Sequence, residues 1–140
     1  MREKCIATEY GSVYYWLSDT WNEEKETIFF FPGLTADHTM FESQVDYFGA
    51  KYNLIVWDAP CHGKSRPYEK FDLNISCPVL ITHGEYDKTG KVRYYCKIWH
   101  EQTNYPLQII KGAGHNANVD NPEEMNFIIN EFIEEKVLCS

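Results

Sequence analysis

The chain has 140 residues, the length of one ordinary domain, enough to bury a core but too short for two domains of usual size. Its 44% hydrophobic and 16% aromatic content argues against intrinsic disorder and for a soluble globular protein with an aromatic core. A formal charge of −8, from 21 acidic and 13 basic residues, gives a surface field that repels phosphate backbones and anionic membranes, so neither nucleic acid nor a membrane is expected as a partner.

CIAT and VYYWLS flank Glu9-Tyr10-Gly11-Ser12, a polar turn whose glycine can take positive φ, so residues 4–18 read as a β-hairpin. TIFFFP (27–32) is a wholly apolar run of the kind that parallel strands show when both faces are covered. From Thr39 to Phe48 the apolar residues Met40, Phe41, Val45 and Phe48 recur at helical spacing, with Asp37 or Thr39 able to cap the start. YNLIVWD (52–58) is a second buried strand, followed by the loop APCHGKSRPYEK, whose glycine and prolines exclude regular structure. PVLITHG (78–84) is a third strand, Lys91 to Glu101 a helix, and Leu107 to Lys111 the last strand. The chain then closes in an amphipathic helix with Pro122 in its first turn and Met125, Ile128, Ile129, Phe132 and Ile133 on one face. Alternation of strand and helix predicts an α/β fold with a mostly parallel sheet, in a single domain spanning 1–140.

No run approaches the roughly 18 uninterrupted apolar residues of a membrane span. MREKCIATEY lacks the apolar stretch of a secretory signal, and a cytoplasmic protein is expected. Cys5, Cys61, Cys77, Cys96 and Cys139 are odd in number and form no CxxC pair, so they read as reduced thiols, and neither a metal nor another cofactor is expected.

In parallel α/β sheets reactive groups collect at the carboxyl ends of strands. Four such ends are visible: Pro32-Gly33-Leu34, Asp58-Ala59-Pro60-Cys61-His62-Gly63, His83-Gly84-Glu85-Tyr86-Asp87 and Gly112-Ala113-Gly114-His115. Asp87 and His115 lie just beyond neighbouring strands and could meet there, the carboxylate fixing the imidazole tautomer and stabilising the imidazolium formed in proton transfer. The simpler alternative is turn chemistry for Asp87 and a surface position for His115.

FFFPGLTADHTMF, LIVWDAPCHGKS, CPVLITHGEYDKTG and IIKGAGHNANVDNPEEMNFIINEFI, in that order, resemble successive signatures of the α/β-hydrolase family. The resemblance implies a three-layer, reduced α/β-hydrolase-like fold, with Asp87 as triad acid and His115 as triad base. It also implies that Gly33 and Leu34 form the turn whose backbone N–H helps bind an oxyanion, although Pro32 stands where many members have His. Cys61 stands where the family pattern has glycine, a structural position at which the departure is tolerable. The family's activity is serine-type hydrolysis of esters or related acyl compounds, so a small acyl substrate is implied.

One part of the family pattern is missing. The loop DAPCHGKS leads through RPYEKFDL directly into NISCPVL, where the family carries the G-x-S-x-G elbow strand, its helix, a further strand and a lid. That block is on the order of 100 residues, judged against the usual size of such domains. No G-x-S-x-G occurs in the chain, and the nearest string, Gly63-Lys64-Ser65-Arg66-Pro67, belongs to a loop in which family members also carry a serine. A weakly active or inactive hydrolase is therefore expected. The alternatives are an unorthodox nucleophile (Cys61, Ser65 or activated water) and a non-catalytic binding protein using an apolar patch of Tyr68, Phe71, Tyr86 and Trp99, aromatics for which burial in the core is the simpler expectation. Loss of the elbow strand would open two sheet edges. These would be closed by PVLITH pairing with TIFFF in a monomer, or by a second chain in a homodimer.

Overall fold

The computed structural model describes residues 1–33, 36–68 and 75–136, and divides the chain into two compact units, Met1–Leu73 and Asn74–Ser140. The elements are those of an α/β protein with an N-terminal hairpin and a mixed sheet.

In the first unit, β1 (Arg2–Thr8) and β2 (Gly11–Leu17) form the hairpin, with Thr8 opposite Gly11 across the two-residue turn Glu9-Tyr10. Gly11 adopts φ +148°, and a Cβ on it would press on the Pro67 carbonyl oxygen and the Tyr68 ring, so both the turn and the neighbouring loop need a glycine. β3 (Thr27–Phe30) and β4 (Asn53–Trp57) complete a sheet of order β1-β2-β4-β3, in which β2 meets β4 antiparallel and β3 meets β4 parallel. The expected mostly parallel sheet is thus a mixed one, because the hairpin docks antiparallel against β4.

β3 is not covered on both faces as its apolar run suggested. It ends the sheet, Phe30 is buried, and Phe29 is partly exposed, its ring lying edge-on to Trp57. Between β3 and β4 the predicted helix begins as a 3-10 turn, His38–Phe41, and continues as α1 (Glu42–Phe48). Asp37 caps the start, its Oδ1 accepting from the Thr39 N–H at 3.0 Å and the Thr39 hydroxyl at 2.6 Å. These two bonds hold the Asp37 carboxyl below its ordinary pKa. Phe30, Phe41 and Phe48 pack into the core with Tyr52, Leu54 and Val56. Each such side chain contributes about 1.5–3 kcal/mol through burial.

In the second unit, β5 (Ile81–Gly84) and β6 (Leu107–Ile110) pair in parallel, linked by α2 (Val92–Thr103), which packs on both strands. α2 ends at Asn104, whose φ of +58° supplies the left-handed C-terminal cap. α3 (Ala117–Asp120) and α4 (Pro122–Lys136) follow. Ile110, Ala113, Ala117 and Met125 make a buried cluster, with Ile128 and Ile129 packed against it. The apolar stripe of the C-terminal helix thus has its expected role. No helix among the described residues is long and apolar enough to cross a membrane.

The expected pairing of PVLITH with TIFFF would join the two units; within the first β3 pairs with β4, and within the second β5 pairs with β6.

Candidate active site

Asp87 and His115 come together in the second unit. His115 Nδ1 lies 3.0 Å from Asp87 Oδ2. The Asp87 side chain is 1% exposed and that of His115 39%, so a buried carboxylate backs an imidazole that reaches solvent.

Local bonding builds this geometry. Beyond β5 the chain turns back on itself, with the Asp87 N–H donating to the Gly84 carbonyl and Asp87 Oδ1 accepting from the Thr89 N–H at 2.8 Å. The loop that carries His115 is tied to the loop that carries Asp87: Glu85 N–H donates to the Ile110 carbonyl, Tyr86 N–H to the Ala113 carbonyl, and Gly112 N–H to Glu85 Oε2. Gly114 N–H donates to Asp120 Oδ2 at 2.8 Å, and Asn121 Nδ2 to the Lys111 carbonyl at 2.8 Å, which fix the far side of that loop from α3 and its end. Gly84 has to be glycine because a Cβ there would meet the Ala113 carbonyl oxygen at 2.5 Å and that of Gly114 still closer.

Burial by itself would raise the Asp87 carboxyl. The hydrogen bond from His115, those from Thr89 and the attraction of the imidazole outweigh it and hold Asp87 below its ordinary pKa. An ionised Asp87 can only accept, so His115 Nδ1 carries a proton, and in the neutral imidazole Nε2 is then the basic nitrogen. The arrangement can take up a proton at Nε2 and stabilise the resulting imidazolium. Among the described residues no Ser, Thr or Cys is hydrogen-bonded to the ring. Cys96 is the thiol whose titration feels Asp87, but burial and that negative charge both push it up, which keeps it protonated and unreactive.

The remaining nucleophile and oxyanion candidates lie in the first unit. Gly33 is exposed with open space around its Cα, its carbonyl accepting from the Ala36 N–H at 3.2 Å, while Leu34 lies outside the described residues. Ser65 is fully buried. Its hydroxyl donates to the Asp58 carbonyl at 2.7 Å and accepts from the Tyr14 N–H at 2.9 Å, so it ties the loop after β4 to β2. Cys61 is exposed at φ +70°, its Sγ directed at the Tyr68 carbonyl at 3.2 Å. His62 Nδ1 is engaged by the Pro60 carbonyl at 3.0 Å. Of the aromatic patch, Tyr86 and Trp99 are exposed rather than core, Tyr68 is half-buried, and Phe71 lies outside the described residues.

Sequence reasoning missed a second Asp–His pair. Asp58 is fully buried at the end of β4, and its Oδ1 accepts from the His38 N–H at 2.9 Å and lies 2.8 Å from His38 Nδ1. The Lys64 N–H donates to its Oδ2 at 2.7 Å. The His38 ring stacks on Trp16 at 3.4 Å between centroids. Asp37, His38 and Asp58 bring possible metal-ligand atoms within 4.8 Å of one another. The carboxylates are nevertheless already satisfied by the bonds described, and the group reads as a brace for two loops. The signal was an Asp directly after a strand followed five residues later by glycine.

Fold and site together describe an α/β protein of hydrolase-like fold carrying an aspartate–histidine pair. Over 96% of this chain and 98% of the other, the structure matches the crystal structure of a predicted CIB-like hydrolase from Thermoplasma acidophilum, with a TM-score of 0.70 and 15% sequence identity. No protein-family model and no curated protein matches the chain.

Proposed function

We propose that this chain is a reduced α/β-hydrolase-like protein that retains the acid and base of a hydrolytic site, Asp87 and His115, without a nucleophile of the usual kind. The reading rests on one observation, the 3.0 Å contact between His115 Nδ1 and a buried Asp87 oxygen. It is supported by the ordered family-like motifs and by the likeness of fold to a predicted hydrolase. The acid–base pair can activate an attacking group, but no G-x-S-x-G turn supplies one. With the nucleophile goes the backbone donor that follows it in the oxyanion hole, so serine-type hydrolysis of acyl esters is weak or absent.

Ser65 does not fill the vacancy, because both directions of its hydroxyl are committed to backbone groups in a buried loop. Water activated at His115 Nε2 is the attacker this reading favours, ahead of Cys61, whose Sγ is engaged with the Tyr68 carbonyl. A fluorophosphonate probe should leave the protein unlabelled, and any slow turnover of a short-chain aryl ester should vanish in His115→Ala. Stoichiometric labelling, or turnover unchanged in His115→Ala, would refute the proposal.

A further inference from the structure

The second unit contains an open groove of about 550 Å³ whose lining includes Asp87 but not His115. That volume lies within the roughly 300–1,000 Å³ of small-molecule sites. Its floor is the face of the β5–β6 ladder carrying Leu107 and Ile109, and its wall is α2 with Tyr94. Ile109, paired with the buried His83, is 48% exposed, and Tyr94 is 59% exposed. Apolar surface is therefore left open on two sides of the groove.

Its polar lining is cationic. Lys91, Arg93 and Lys97 all border it. Residues 88–97, KTGKVRYYCK, hold four basic residues and no acidic one, in a chain of formal charge −8. Lys97 is 3.7 Å from Glu101, whereas Lys91 and Arg93 form no ion pair among the described residues. Asp87 also borders the groove, but its side chain is 1% exposed and its oxygens are engaged by His115 and by the Thr89 N–H. The first turn of α2, which starts at this rim and holds no acidic residue, adds its positive end.

We propose that this groove binds a small amphiphilic anion, a carboxylate or phosphate head on an apolar body, with the head between Lys91 and Arg93 and the body over Tyr94, Leu107 and Ile109. Arginine favours planar, bidentate contact with such heads, and the local positive field attracts an anion to a protein that otherwise repels one. The assignment does not depend on Asp87 or His115 acting in catalysis.

The test is titration of the whole chain with octanoate, octyl phosphate and octanol, followed by amide chemical shifts. Both anions should give saturable shifts centred on Arg93, Tyr94 and Ile109, and octanol should bind at least about tenfold more weakly. Loss of one charge-assisted bond corresponds to roughly that factor. The double variant Lys91→Gln/Arg93→Gln should lose the preference for anions over octanol, and ionic strength near 1 M, where screening acts over about 3 Å, should weaken the anions alone. Equal binding of octanol, or unchanged anion binding in the double variant, would overturn the proposal. So would binding to anionic phospholipid vesicles without binding of monomeric octyl phosphate, which would assign the cations to a lipid surface.

Discussion

Asp58 leaves no room for a side chain at Gly63. A Cβ there would lie 2.8 Å from Asp58 Oδ1 and closer still to Oδ2, and Gly63 has φ +44°. Gly63→Ala should therefore cost more than about 2 kcal/mol in chemical denaturation, combining a left-handed penalty with displacement of a buried carboxylate. Gly33→Ala, with nothing within 4 Å of its Cβ position, should stay within about 0.5 kcal/mol of the parent.

Cys61 carries the opposite problem. It is a non-glycine residue at φ +70°, in the place where the family-like pattern has glycine. Cys61→Gly should stabilise the chain by about 0.5–1 kcal/mol, the relief of left-handed strain outweighing a weak thiol contact and the added entropy of the unfolded chain. Cys61→Ala keeps the strain and should not stabilise. A denaturation midpoint lower in Cys61→Gly than in Cys61→Ala would contradict this.

Asp87 makes stability depend on acid. Its carboxyl is held below the ordinary value, so its contribution is fully present above the unfolded-state pKa of about 3.9 and is lost as pH falls through the lower, folded value. Asp87→Asn should cost about 2 kcal/mol at neutral pH, in the range of hydrogen bonds to a charged group. It should also flatten the loss of stability below about pH 4. Identical acid limbs for the two proteins would show that the pair contributes no linkage.

Ser65→Ala separates structure from chemistry. It orphans the Tyr14 N–H and the Asp58 carbonyl in a buried loop, and should cost about 2–3 kcal/mol. Any aryl-ester turnover, measured per folded molecule, should be unaffected. A folded Ser65→Ala protein with abolished turnover would make Ser65 the nucleophile after all.

The Asp87–His115 contact was legible because both residues lie in the short loops beyond strands that pair in parallel with each other, which carries them to the same end of the ladder. The C-terminal helix was legible from Pro122 and its apolar stripe, and the hairpin from its polar turn. His38–Asp58 was not, since His38 sits in a 3-10 turn whose side-chain direction no periodicity records. The groove was equally hidden. Its apolar floor has the same alternation as a covered strand, and only the fold reveals that α2 leaves Ile109 open. The sheet was misjudged because a run such as TIFFF has the same composition at an edge as in the middle. The stretch FDLNISCPVL reads as a junction in the family-like pattern. The boundary between the two compact units falls inside it, between Leu73 and Asn74.

β3 has one further consequence. Among the described residues its outer side has no ladder, and the strand is short, uncharged and rich in phenylalanine. It carries neither a proline nor a lysine, and its four-residue length is what blunts it as a template for another chain. The shared negative charge also holds copies apart, and it fades near the sequence pI of about 5.0 and under high salt. The shortness of this ribbon, not its composition, is thus its protection once that electrostatic cushion is gone.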